Sequence, residues 1–246
     1  MIYNSKTIVI YFHMLRSHKK RQSKIQYNLS FFENESDELY YFWGFILGDG
    51  CLTCNKHLTI SLNIKDIIIL EKFCKWLKID ESNIKIYNHG SVCRLNIYLN
   101  FLKINSSKFG VVRNKTYNPV VPEISFKYIK PFLLGLIDAD GHVSFRPGKN
   151  YSIEMTNNHL IIDWYVSQLR LINFNGNINY FSKKSTWNKA RIRRKNDFLD
   201  LINILNIKKY YYLLLERKWK DIYNHIINNK QIINKNYKLT ELQRKE

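Results

Sequence analysis

Two stretches of the chain repeat one another, and this restricts the fold more than any other feature of the sequence. Phe42-Trp-Gly-Phe-Ile-Leu-Gly-Asp-Gly50 corresponds position for position to Leu133-Leu-Gly-Leu-Ile-Asp-Ala-Asp-Gly141, with the final acidic residues 91 positions apart. Downstream, Ser61-Leu-Asn63 and the apolar stretch Ile67–Leu77 are echoed by Met155-Thr-Asn157 and Leu160–Leu171 at an offset of 94. Asn83-Ile-Lys-Ile86 and Asn177-Ile-Asn-Tyr180 keep that offset. Three features in one order at a near-constant spacing predict two similar halves, at 36–125 and 126–230.

Each half reads as helix, two strands, helix, two strands, helix, an α+β class. Leu58–Leu62 and Ser152–Thr156 have strand-like apolar character, and Val92–Tyr98 and Ala190–Arg194 alternate between two faces. Such alternation marks a sheet with one face on a core and one exposed. Pro119 and Pro122 punctuate the join between the halves. Residues 1–35 read as a basic extension outside the core, with no acidic residue before Glu33 and a cluster of Arg16, Lys19, Lys20, Arg21 and Lys24. That extension is a mitochondrial transit peptide, a basic arm on nucleic acid, or residual sequence from a fused upstream frame. A helix is expected near Leu213–Asn228, and residues 231–246 read as a polar tail.

Charge narrows the partner. Lys and Arg number 39 against 20 for Asp and Glu, a net +19, yet 45% of the residues are hydrophobic. The chain can build a core, so it is no disordered basic tail, and its field favours a polyanion, nucleic acid ahead of anionic membrane. Its longest apolar runs, Tyr41–Leu47 and Pro131–Ile137, are far shorter than the roughly 20 residues of a membrane span. Ala139 and Ala190 are the only alanines, whereas Ile, Asn, Lys and Tyr abound, a codon bias expected of an A/T-rich genome such as an organelle's, with mitochondrion ahead of chloroplast. Cys51, Cys54, Cys74 and Cys93 include one C-x-x-C but no second pair to complete a zinc site, and are read as small, mostly buried thiols.

Within the repeated motif, Gly44 and Gly48, like Gly135 and Ala139, recur at i, i+4. Such a stripe lets two helix backbones approach closely. Gly50 and Gly141 stand where helices commonly end in a left-handed residue. Packed side by side, the helices would deliver Asp49 and Asp140 to one place. Two carboxylates at negative helix ends repel one another and call for a cation. A hard divalent ion with oxygen ligands, Mg²⁺ first, fits a carboxylate pair in a polyanion-binding protein, and such a pair is the usual equipment for hydrolysing a phosphodiester.

Leu133–Gly141 resembles the nine-residue signature of the LAGLIDADG homing endonucleases, departing from it only at Leu134, and Phe42–Gly50 is a looser copy. The likeness covers roughly residues 36–230 in the double-motif, single-chain form. It implies two pseudo-symmetric αββαββα halves whose antiparallel sheets form a saddle over DNA, working as a monomer. It also implies that Asp49 and Asp140 bind the metals and position the attacking water, with the Gly48 and Ala139 carbonyls as further metal donors. The family keeps a lysine near each active site. Arg113-Asn-Lys115-Thr116, followed by Pro119 and Pro122, resembles the segment that supplies it and so implies Lys115. The repeat offset of 94 then implies Lys209, with Lys208 as the fallback. Asn63 and Asn157 match a polar position near the scissile phosphates.

Sequence reading is expected of the sheets. Lys183, Lys184, Trp187, Lys189, Arg191, Arg193 and Arg194 form the densest basic stretch, and Lys56, Lys85, Asn88, His89, Arg94 and Asn96 hold equivalent places in the first half. Arg and Lys read guanine, and Asn reads adenine, from a ribbon in the major groove. The expected activity is Mg²⁺-dependent, site-specific cleavage of double-stranded DNA across the minor groove, leaving short 3′ overhangs and promoting intron mobility. The alternatives are a group I intron maturase, with intron RNA as partner, and a nuclease-dead DNA-binding protein of the same fold.

Overall fold

The computed structural model describes residues 25–182 and 187–228. Two helices of the repeat, α2 (Asp37–Asp49) and α4 (Ile129–Asp140), lie against each other at the centre. Helix α2 starts at Ser36, whose side chain accepts the Leu39 N–H at 3.1 Å, with Asp37 and Glu38 in the first turn where the helix dipole favours acids. Both helices are buried along most of their length.

The small-residue stripe sets how closely they approach. A methyl at Gly44 would lie 2.0 Å from the Phe132 carbonyl oxygen, and one at Gly135 would lie 2.1 Å from that of Tyr41. The third contact joins Gly48 to Ala139. Gly50 and Gly141 depart from the sequence expectation. Their φ angles are −78° and −82°, extended rather than left-handed. Space excludes a side chain there, since a Cβ would meet the Ile46 carbonyl at 2.7 Å and the Ile137 carbonyl at 2.5 Å.

Each helix runs into a four-stranded antiparallel sheet. The first contains β1 (Gly50–Cys54), β2 (His57–Asn63), β3 (Lys85–Tyr87) and β4 (Val92–Ile97), in the order β1-β2-β4-β3. The second contains β5 (Gly141–Arg146), β6 (Asn150–Asn158), β7 (Asn179–Ser182) and β8 (Trp187–Ile192), in the order β5-β6-β8-β7. Leu58, Ile60 and Leu62 alternate inward on β2, as Ile153 and Met155 do on β6. Helices α3 (Ile67–Leu77) and α5 (His159–Leu171) follow the second strand of each sheet and bury Leu70, Phe73, Ile162 and Tyr165.

The halves are not identical. Gly50 pairs with Ile60, but Gly141 pairs with Met155, so the second hairpin is four residues longer. After β8 the second half inserts α6 (Lys195–Ile204) before the short α7 (Ile207–Tyr210). The first half has only the 3-10 turn Ser106–Phe109 where its final helix was expected. The expected strand Ala190–Arg194 is displaced to Trp187–Ile192, fixed by the pairing of Ile192 with Ile153, and Arg194 becomes the N-cap of α6. The last described helix, α8 (Glu216–Asn228), begins three residues later than expected.

Residues 25–35 belong to the core rather than to an extension. The turn α1 (Ser30–Glu33) places Phe31 against Trp76 and Phe42, while the Asn28 N–H donates to the Leu77 carbonyl at 2.9 Å. The remaining basic extension, residues 1–24, and the tail from 229 onward lie outside the described residues. No helix among the described residues is long and apolar enough to cross a membrane.

Gly44→Ala should force the central helices apart and cost about 3 kcal/mol, at the upper end for overpacking a rigid contact. Urea denaturation checks this against Gly148→Ala, where a Cβ meets nothing within 4 Å and only the left-handed φ of +77° costs stability, about 1 kcal/mol.

Candidate active site at the paired helix ends

Helix packing brings the two final motif residues together. Asp140 stands half-buried at the end of α4, and its carboxylate lies 3.1–3.2 Å from where a Gly48 Cβ would be. Asp49 closes α2 on the more open side. Burial lifts the Asp140 pKa first and the neighbouring Asp49 charge lifts it further, to about 6 despite the opposing Lys115 and Lys218. Burial also raises the Asp49 carboxyl, with Lys218 and Lys115 pulling it back.

Each helix end receives one ammonium group. Lys115 Nζ donates to the Leu47 and Gly48 carbonyls, both at 2.6 Å. Lys218 Nζ, from the first turn of α8, donates to the carbonyls of Ile137, Asp138 and Gly141 at 3.1, 2.6 and 2.7 Å. Lysines near a helix C-terminus satisfy carbonyls that lack an intrahelical partner and offset the negative dipole end. Burial lowers the pKa of both lysines, and the nearby aspartates partly restore it.

Lys218 occupies the place that the sequence assigned to Lys209. Lys209 instead pairs with Asp37 at 2.9 Å, at the first residue of α2 and so about 18 Å along that helix from Asp49. Lys208 is its neighbour in α7 and shares that distant location. A constant offset failed because insertions accumulate. The separation is 91 at the motif aspartates and 95 at the paired strands, and it reaches 103 between Lys115 and Lys218. The extra hairpin residues and α6 account for most of the change. Basic residues opening the last helix were the only sequence signal for Lys218.

The two asparagines separate as well. Asn157 Nδ2 donates to Asp140 Oδ2 at 2.5 Å. Asn63 instead accepts the Lys65 N–H at 3.0 Å, capping a 3-10 turn. Strand register makes Asn158 its true counterpart, and that side chain likewise accepts the Leu160 N–H. Leu62 holds the first-half position equivalent to Asn157. Asp140 therefore has an amide partner from the strand, and Asp49 has a leucine at the matching place.

A small recess beside Asp140 is lined by Gly48, Lys115, Asn157 and Trp187 among others. Its chemistry fits a divalent cation. Asp140 lines the recess and Asp49 lies close enough to raise the Asp140 pKa, while both ammonium groups donate to backbone carbonyls rather than to the carboxylates. The Gly48 carbonyl, expected as a metal donor, already accepts from Lys115, and Ala139 sits at the helix contact. No group of three His, Cys, Asp or Glu residues suited to a metal occurs among the described residues. Cys51 and Cys54 are exposed on β1, contrary to the expectation of buried thiols, whereas Cys74 and Cys93 are buried.

The exposed sheet faces carry the base-reading candidates. Arg94 donates to Ser61 Oγ at 2.8 Å and lies over the Tyr87 ring, and Asn96 Oδ1 accepts from Thr59 Oγ1 at 2.9 Å. Lys85 donates to the Ser82 carbonyl at 2.7 Å, and Lys56 stands in the β1–β2 turn. In the second sheet Glu154 bridges Lys189 at 3.2 Å and Arg191 at 2.8 Å. Burial would raise the Glu154 pKa, yet those cations hold it below the ordinary value. Arg193 is exposed beyond the strand, and Lys183 and Lys184 fall outside the described residues.

Two helices delivering paired carboxylates to the junction of two four-stranded antiparallel sheets define the LAGLIDADG homing-endonuclease fold, and the chain has that fold. No protein-family model matches the sequence, and no curated protein is a significant match. Solved structures do match. Meganuclease I-SmaMI, bound to uncleaveable DNA with a TTCT central four, is 13% identical with a TM-score of 0.52, over 83% of this chain and 96% of that one. The homing endonuclease I-WcaI, bound to its DNA recognition sequence, is 17% identical with a TM-score of 0.51, over 89% and 93%. Full-length DUF199/WhiA from Thermatoga maritima is 14% identical with a TM-score of 0.50, over 87% and 70%.

The raised Asp140 pKa has a definite sign for stability. Between the ordinary aspartate value and about 6 the folded protein holds the proton that the unfolded chain releases, so ionising this group costs stability as pH rises. In EDTA at pH 7.5, Asp140→Asn should raise Tm by about 2–4 °C, roughly 1 kcal/mol after allowing for its partial exposure. The gain should shrink at pH 5, as a thermal melt at the two pH values will report.

Proposed function

We propose that the protein is a divalent-metal-dependent DNA endonuclease that cuts both strands of a specific duplex site. The observation that carries this reading is the convergence of Asp49 and Asp140 with one half-buried lysine at each helix end. Asp49 and Asp140 would hold Mg²⁺, which supplies charge stabilisation and a more acidic bound water. Lys115 and Lys218 place fixed positive charge beside the position where a scissile phosphate gains negative charge. Asn157 orients the Asp140 carboxylate. Each half serves one strand, giving the short 3′ overhangs expected of cuts across the minor groove.

The sheets supply affinity and selectivity. Arg94, Asn96, Lys189 and Arg191 are positioned on the faces that would enter the major groove, with Trp187 beside the cleavage site. Glu154 tempers the local charge and can itself accept from a cytosine amino group. The DNA-bound meganucleases of the same fold support a duplex partner, and a role in spreading a host intron, in an A/T-rich organelle, follows as part of the same proposal.

The test incubates the purified protein with Mg²⁺ and a plasmid bearing the uninterrupted insertion site of its own gene. A double-strand break is expected there. No break, with tight binding of the host intron RNA instead, would replace the endonuclease with a maturase, and DNA binding without either would indicate a binding protein. Asp49→Asn and Asp140→Asn should each reduce double-strand cleavage by at least 100-fold with duplex affinity within about threefold. Lys218→Met should cost 10²- to 10³-fold in cleavage rate, whereas Lys209→Met should change it less than threefold. Equal losses at the two lysines would refute the placement of Lys218.

A further inference from the structure

The sixth position of the repeated motif is the point at which the two halves differ most in chemistry. It is Leu47 in α2 and Asp138 in α4, and Asp138 is 1% exposed. Asp138 accepts three hydrogen bonds. Its Oδ2 takes the Tyr41 hydroxyl at 2.6 Å and the Leu215 N–H at 2.8 Å, and its Oδ1 takes Trp219 Nε1–H at 2.6 Å. Leu215 and Trp219 flank Lys218 in the chain, and the Asp138 backbone carbonyl receives the Lys218 ammonium itself. Tyr41 comes from the helix of the other half.

We propose that Asp138 is the positioning residue for Lys218, holding the chain on both sides of that lysine so that only the second-half site depends on this motif position. The first half reaches the same end by another route. Lys115 comes from the loop after Gly110, whose left-handed φ of +75° and contact with Leu47 turn the chain back toward α2. No carboxylate at position 47 is needed. The three partners of Asp138 are all donors, so an amide there would present its own N–H₂ to at least one of them and release part of the 215–219 segment. The consequence is unequal strand cleavage when Asp138 is altered. This consequence rests on the endonuclease reading, whereas the placement of Lys218 does not.

Two measurements on the full chain test the proposal. In the first, ¹⁵Nζ spectra of the lysine ammonium groups are recorded without metal or DNA, with signals assigned by Lys115→Arg and Lys218→Arg. Asp138→Asn should shift or broaden the Lys218 signal beyond detection and leave that of Lys115 in place. In the second, a binding site is selected from a pool of randomised duplexes, cloned into supercoiled plasmid and cut with Mg²⁺. Wild-type protein should give linear DNA. Asp138→Asn should accumulate open circles nicked in one and the same strand, with the other strand cut at least tenfold more slowly. Trp219→Phe, which removes a single bond, should move both readouts in the same direction by about threefold, and it stands in if Asp138→Asn does not fold. An unchanged Lys218 signal, or parallel loss of both strand cuts, overturns the positioning role. If wild-type protein cuts nothing, the endonuclease reading falls while the ammonium spectra still decide the placement.

Discussion

Everything at the candidate site depends on how closely two helix backbones can approach. Gly44 and Gly135 each sit against a carbonyl of the opposite helix, at a distance no Cβ could share. Gly48 and Ala139 extend that contact to the C-terminal ends, so the last turn of each helix delivers its carboxylate to common ground. A wider helix pair would carry the same residues and separate the charges. The stripe of small side chains is therefore the condition for the site as well as for the core, and it explains why large aromatic residues such as Phe42, Trp43 and Phe132 point elsewhere, into the surrounding layers.

Concentrating two carboxylates at two negative helix ends carries an electrostatic penalty that the fold meets in stages. Lys115 and Lys218 neutralise the dipole ends through the carbonyls rather than by pairing with the aspartates. Their charge limits the rise of both carboxyl pKa values without consuming the carboxylate oxygens. What remains is a recess in which the Asp140 carboxylate stands beside Asn157 and Lys115.

The connection between halves is also electrostatic at its edge. Arg217 grips the buried Asp66 of the first half at 2.5 and 2.7 Å, and Lys72 Nζ donates to the Leu213 and Leu214 carbonyls at 3.0 Å. The segment that precedes and opens α8 is thereby clasped from both sides while it carries Lys218. Similar outcomes at the two helix ends are reached with different parts, a loop in the first half and a helix in the second.

The repeat, the alternating strands and the small-residue stripe were legible in the sequence because each is a local pattern that only one kind of packing satisfies. They determined the two-half α+β fold, the burial of α2 and α4, and the meeting of Asp49 with Asp140. Lys115 stands in a segment, Arg113-Asn-Lys115-Thr116, that resembles the family's, and its ammonium group lies at the Leu47 and Gly48 carbonyls. Tertiary structure alone decided the rest. Lys218 replaced Lys209 because a longer hairpin and α6 shifted the repeat, and chain offset does not report which lysine returns to a helix end. Asn157 separated from Asn63 because strand register, set by cross-strand hydrogen bonds, moved the equivalence by one residue and so to the other face. Asp138 lay in plain view within the motif, yet its partners are 77 to 97 residues away in sequence, and only folding brings those donors to it.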